Sequence, residues 1–258
     1  MFRRHLLALC ACSSLPLLLI ACGGDGGDDD DGVSPTTSST SATPGASASP
    51  SAPTVPVNSS TEPTVGEPAS KYTLLLADIG SGYFTDRQHT FELTVENYAT
   101  TASFPSPADG QRMLKEWGYM GGFETAYEPE GRTQDVLNGK FYVAVETHLF
   151  ESPEGAQAAY AYFEEGLRAA RRAEPIQAAT VGNQSSAWRY TDGKISGSSI
   201  NGVFHRFVIR RGNMVAVVQT WGADPLMRVD TARGFAAILD EKALGRKESP
   251  EPTPTPGP

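Results

Sequence analysis

Between Lys71 and Lys247 the apolar positions recur with two different periods, and the switches between them mark out the elements. In Phe141 to Phe150, the residues Phe141, Val143, Val145 and Leu149 fall on one face in strict alternation, the two-residue period of a strand. Ser152-Pro153 then supplies an N-cap and a first helical residue. Ala156, Ala159, Tyr160, Phe163, Leu167 and Ala170 follow at intervals of three and four, so the spacing predicts a helix stopped by Pro175. Gly202 to Arg211 and Met214 to Trp221 read as a hairpin turning at Gly212-Asn213, a pair that tolerates tight backbone angles. A last helix is expected from Asp224-Pro225, with Leu226, Val229, Ala232, Phe235, Ala236, Leu239 and Ala243 on its buried face and Gly245 at its close.

Upstream the pattern is shorter. Leu74-Leu75-Leu76-Ala77 is an apolar run ending at a glycine turn, and Thr90 to Ala99 reads as a short helix. In Ala108 to Trp117, Met113, Leu114 and Trp117 share a helical face, and Tyr119 to Glu128 carries glycines that permit a bulge. Ala187 to Tyr190 reads as a strand. Gly139 and Gly212 are each followed eight residues on by a threonine, Thr147 and Thr220, with a β run between and a helix soon after. That correspondence is a candidate internal ββα duplication. Together the elements predict an α+β domain: one antiparallel sheet of about five strands, with helices packed mainly on one face.

The chain begins differently. Arg3, Arg4 and His5 precede an apolar run from Leu6 to Ile20, the layout of an export signal. Fifteen residues at helical rise cover about 22 Å, short of the roughly 30 Å hydrocarbon core, so a permanent span is not expected. The run ends in Leu19-Ile20-Ala21-Cys22, and this stretch resembles the lipobox of bacterial lipoproteins. The resemblance covers residues 1–22 and implies cleavage between Ala21 and Cys22, with a diacylglycerol on the Cys22 thiol. Cys10 follows the bulky Leu9, and Cys12 would leave too short an apolar core, so Cys22 is the better site. Two or more acyl chains would hold the protein on the extracytoplasmic face of a membrane, since each buried methylene contributes about 0.8 kcal/mol.

Composition then divides the rest. Residues 22–70 are expected to form the lipidated end and a disordered Gly/Asp/Ser/Thr/Pro tether, residues 71–247 a single globular domain, and residues 248–258 a disordered Pro-rich tail. The formal charge of −9 belongs mostly to the tether, because residues 71–247 hold 19 basic and 21 acidic side chains. A near-neutral domain without a basic stripe is not expected to bind nucleic acid. All three cysteines lie at or before position 22, so the domain must hold together without disulfides.

Candidate chemistry is sparse. No nucleophile elbow, HExxH, P-loop or dinucleotide fingerprint occurs, and no cofactor is implied. Asp28 to Asp31 followed by Gly32 departs from the EF-hand spacing, and His89, His148 and His205 lack metal-ligand spacing, so no metal site is expected. Glu146 and His148 share a strand face, as an acid and its partner would. Trp117, Tyr119, Trp188 and Trp221 could line an aromatic pocket or fill a core. In layout the domain is similar to uncharacterised envelope lipoprotein domains. The expected role is non-catalytic: a domain that binds a small ligand or an envelope protein as a sensor or accessory factor. A hydrolase of envelope polymers and a structural lipoprotein are the alternatives.

Overall fold

The computed structural model describes residues 65–102, 104–170 and 173–248. Ala21, Cys22, the Asp28 to Asp31 run and the Pro-rich tail lie outside the described residues.

After a 3-10 turn at Ala69–Tyr72, the chain forms α1 (Leu76–Ile79), β1 (Tyr83–Thr85), β2 (Phe91–Leu93), α2 (Val95–Thr101) and α3 (Pro107–Glu116). The expected helix from Thr90 is in fact this β2–α2 pair. Thr94 divides them by capping α2, its hydroxyl accepting from the Asn97 amide while its own amide donates to Asn97 Oδ1. Then follow β3 (Tyr119–Pro129), α4 (Arg132–Leu137), β4 (Phe141–Phe150), α5 (Pro153–Ala169), β5 (Glu174–Pro175), β6 (Gln184–Lys194), β7 (Asn201–Arg211), β8 (Met214–Ala223) and α6 (Val229–Ala243).

The strands form one antiparallel sheet of eight, in the order β1-β3-β4-β8-β7-β6-β5, with β2 also paired to β3. This corrects the expected five. The additions are the two- and three-residue strands β1, β2 and β5, too short to show a period. Helices cover both faces, which corrects the one-sided arrangement expected. The reason is visible in β7 and β8, where Phe204, Phe207, Val208 and Ile209, and Met214 through Val218, give near-continuous apolar runs that need cover on both sides. On one face, Val145, Leu149, Phe207, Ile209, Ala216 and Val218 meet Ala232, Phe235, Ala236 and Leu239 of α6. On the other, Phe150, Trp188, Val208 and Val215 meet Ala156, Ala159 and Leu167 of α5, with Tyr98 of α2 and Leu114 of α3.

The second half follows the expected strand, strand, helix order, whereas in the first α4 intervenes between β3 and β4, and β4 lies beside β8 with Val145 opposite Val218. Yet α5 and α6 take opposite faces, which a two-fold repeat of one ββα unit about that pair would not produce. The last helix also starts later than its apparent cap. Asp224 is occupied by Arg189, 2.8 Å away, and Leu226 is exposed, so α6 opens at Val229.

The core reaches upstream of Lys71. Val65 and Ala69 are buried on the α6 face, and Asn213 in the β7–β8 turn holds Val65 from both sides. Its Oδ1 accepts from the Val65 amide at 2.7 Å, and its Nδ2 donates to Val65 O at 2.9 Å and Phe150 O at 2.7 Å. On the other side of the sheet the first turn of α5 seats Gly155 directly against the Trp117 carbonyl, with no room for a Cβ. Gly155→Ala is therefore expected to destabilise the domain by about 2 kcal/mol or more, read as a lowered urea midpoint at unchanged slope.

Candidate ligand-binding pocket

Small residues on the α5 face of the sheet leave a space the helices do not fill. Ala144 in β4, and Gly166 and Ala169 in α5, lack the bulk to bridge sheet and helix, and a pocket of about 290 Å³ opens between them. Tyr98 of α2 and Tyr162, Phe163 and Leu167 of α5 wall it. Its floor crosses four adjacent strands and carries one long polar side chain from each: Glu124 of β3, Glu146 of β4, Gln219 of β8 and Arg206 of β7. Glu124 stands directly opposite Glu146, and Arg206 opposite Gln219. A bulge at Tyr119/Gly121 shifts the register of β3, so that Tyr119 and Glu124 share this face although their positions differ in parity.

The two acids differ in setting. Burial, reinforced by the charge of Glu146, pushes the Glu124 carboxyl above its ordinary range, although His89 Nδ1 sits 3.0 Å away. The same contact raises His89 against the opposing effect of its burial. For Glu146, burial alone would raise the carboxyl, but His148, the charge of Arg206 and the Tyr98 hydroxyl outweigh it and hold Glu146 low. Its side chain keeps 34% exposure, so solvent screens part of that effect.

A raised histidine stabilises the fold fully below its ordinary pKa of 6.5, and that contribution is lost as pH rises through the higher folded value. Glu124→Gln removes the acceptor charge. The His89 ring is accordingly expected to titrate above 6.5 in the native protein and to fall back in the variant, as followed by histidine ring NMR shifts against pH.

Glu146 and His148 do come together, as their shared strand face indicated. His148 Nε2 is 3.4 Å from Glu146 Oε2, without a hydrogen bond formed by that nitrogen. His148 Nδ1 is 3.3 Å from the Tyr119 hydroxyl, which donates to Leu93 O, so the hydroxyl accepts and Nδ1 carries the proton. The imidazole is fully buried and lies against Tyr98 and Phe163. No serine or cysteine lines the pocket, and its hydroxyls are those of Tyr98, Thr101 and Tyr162.

The other candidates are dispersed. His205 shares a face with Phe207 and Ile209, on the α6 side of the sheet, and burial together with the charge of Arg189 lowers its pKa. Among the described residues no group of three or more acidic or histidine side chains converges as a metal site. Tyr119, Trp188 and Trp221 are buried in the α5-side core, with Trp117 packed against its edge, and none lines the main pocket. The aromatic residues that do, Tyr98, Tyr162 and Phe163, were not singled out in sequence.

Arg206, like Glu124 and Gln219, is also not marked by the sequence pattern. Its Nε donates to Gln219 Oε1 and its guanidinium lies over the Tyr190 ring, 5.6 Å from the centroid. Among the described residues no carboxylate lies within ion-pair distance of it. A cation in a strand otherwise buried on this face was the available signal.

These features define a sheet covered on both faces, with one ligand-sized pocket beneath α5. No family model matches the chain, and no curated protein sequence matches it. Among solved structures it is similar to the extracellular domain of PknH from Mycobacterium tuberculosis, at 12% identity and a TM-score of 0.41, over 71% of this chain and 98% of that one.

Proposed function

We propose that this chain is a lipoprotein anchored through Cys22 on the extracytoplasmic side of a membrane, and that its folded domain binds a small ligand as a sensor or accessory factor. The pocket is the observation that carries the binding role. Apolar walls with a few convergent polar groups are the usual construction of a small-molecule site, and about 290 Å³ lies near the lower end of the size range for such sites. The lipobox-like Leu19-Ile20-Ala21-Cys22 and the acidic stretch after it support the anchor and a spacer. Among the described residues no helix is long and apolar enough to cross a membrane.

Two measurements test the two parts. The mature protein should begin at Cys22 with added acyl mass, and Cys22→Ala should leave the membrane fraction; an unacylated product cut elsewhere removes the anchor. For the domain, a fragment screen by amide NMR on the chain from Gly23 onward should shift Val217, Gln219 and Phe163. Fragments that bind only elsewhere, or none that bind, remove the pocket as the site.

A further inference from the structure

We infer that the pocket selects a small molecule bearing two opposite charges separated by an apolar spacer, with a cationic group at Glu146 and an anionic group at Arg206. The inference rests on the ligand-binding reading above and names the class of ligand.

Charge balance is the first argument. Of the charged side chains that line the cavity, Glu124 is paired with His89 and Glu165 with Arg168, while Glu146 meets His148 Nε2 at 3.4 Å without a hydrogen bond from that nitrogen, and Arg206 has no carboxylate within ion-pair distance among the described residues. Glu146 and Arg206 are not joined to each other by an ion pair, and a ligand of single charge would either leave the Arg206 guanidinium without a carboxylate or set a lone anion beside the Glu146 carboxylate, a costly arrangement in an apolar space. A ligand that is neutral overall but bipolar satisfies both.

The surroundings of each end give the second argument. Glu146 accepts from the Tyr98 hydroxyl at 3.4 Å, and the Tyr98 ring lies 6.3 Å from that of Phe163. Carboxylate and aromatic faces together suit an ammonium group. At the other end, among the described residues, Gln219 accepts from the Nε of Arg206 and the Tyr190 ring faces the guanidinium plane, so the in-plane hydrogens of its terminal amino groups suit a carboxylate or similar anion that accepts two hydrogen bonds.

Strand geometry sets the spacing. β4 and β7 flank β8, with Glu146 opposite Val217 and Arg206 opposite Gln219, so their backbones are about 10 Å apart across the strands and about 7 Å along them, roughly 12 Å in all. A ligand touching both needs several bonds between its charges, more than the single carbon of an α-amino acid.

The test uses 6-aminohexanoate, its isomer L-norleucine with both charges on one carbon, and the single-headed hexanoate and hexylamine. Each is titrated into the chain from Gly23 onward and followed by amide NMR at the pocket floor. The expected result is that 6-aminohexanoate binds at least about tenfold more tightly than the other three, the worth of one charge-assisted hydrogen bond. Arg206→Gln should bring it level with hexylamine, and Glu146→Gln level with hexanoate, with wild-type melting confirming that both variants fold. Norleucine or a single-headed probe binding equally well at the floor would overturn the bipolar class and leave the pocket standing. If no probe moves the floor while the fragment screen finds ligands there, the inference likewise falls alone. Silence in both would overturn the ligand-binding reading with it.

Discussion

Asp78→Ala is expected to cost the domain about 3–5 kcal/mol, because it strands a buried ammonium. Asp78 Oδ2 accepts from Lys242 Nζ at 2.8 Å and Oδ1 from Lys247 Nζ at 2.6 Å, and Lys242 also donates to Thr73 O at 2.6 Å. The Lys242 side chain is 1% exposed, so water cannot replace the lost carboxylate. Burial would raise the Asp78 carboxyl, but the two lysines and the Leu75 amide outweigh it and hold it below its ordinary 3.8. Burial also pulls the Lys242 ammonium down against the opposing bridge, while Thr73 O and Asp78 Oδ2 both accept from it inside 3 Å. A depressed carboxyl stabilises the fold above its ordinary pKa and loses that effect as pH falls through the lower folded value. Acid unfolding below about pH 4 should therefore flatten in Asp78→Ala. Lys242→Met should be milder, since Lys247 still neutralises Asp78. Equal losses for the two variants in urea titrations would show that the buried charge is not the origin of the effect.

The second large effect is expected at Asn213. Its side chain makes three hydrogen bonds, to the Val65 amide, Val65 O and Phe150 O, and is 1% exposed. Asn213→Ala leaves three buried backbone groups unpaired, at about 1 kcal/mol or more each, or about 3 kcal/mol in total. Because Val65 is then free to leave, amide exchange should rise sharply from Val65 to Tyr72 while the β7–β8 ladder stays protected. A uniform rise over the whole sheet would mean that the asparagine serves the turn itself and not the incoming chain.

How far the sequence led depends on length of pattern. β4 and α5 each carry ten or more residues of one period, the β7–β8 hairpin is two long apolar runs about Gly212-Asn213, and all lie where the sequence pattern put them. β1, β2 and β5 have two or three residues, fewer than one repeat of any pattern, and only pairing with β3 or β6 makes them strands. The helix expected at Asp224-Pro225 failed because a cap is defined by what its side chain bonds, and Asp224 bonds a residue 35 positions away.

The pocket was half legible. Glu146 and His148 stood out because a two-residue period put them on one face. Glu124, Arg206 and Gln219 come from three other strands, and their convergence depends on sheet order and on the Tyr119/Gly121 bulge, neither of which is written in local sequence. In retrospect Glu124, Glu146, Arg206 and Gln219 are polar side chains set among apolar neighbours of β3, β4, β7 and β8 on the α5 face. In a strand covered on both sides such a residue needs a partner or a cavity.

The two faces of the sheet have a consequence for how this domain can change. The pleat sends alternate residues to separate cores, so the α6-side and α5-side clusters have no side chain in common. Distant, unconnected substitutions add rather than interfere. The α6 side, with Asn213, Asp78 and Lys242, can act as a fixed foundation while the wall and floor under α5 are rewritten. A library that varies Tyr98, Tyr162, Phe163 and Val217 should then yield new specificities without re-selection for folding, which makes the domain a natural starting scaffold for engineered receptors.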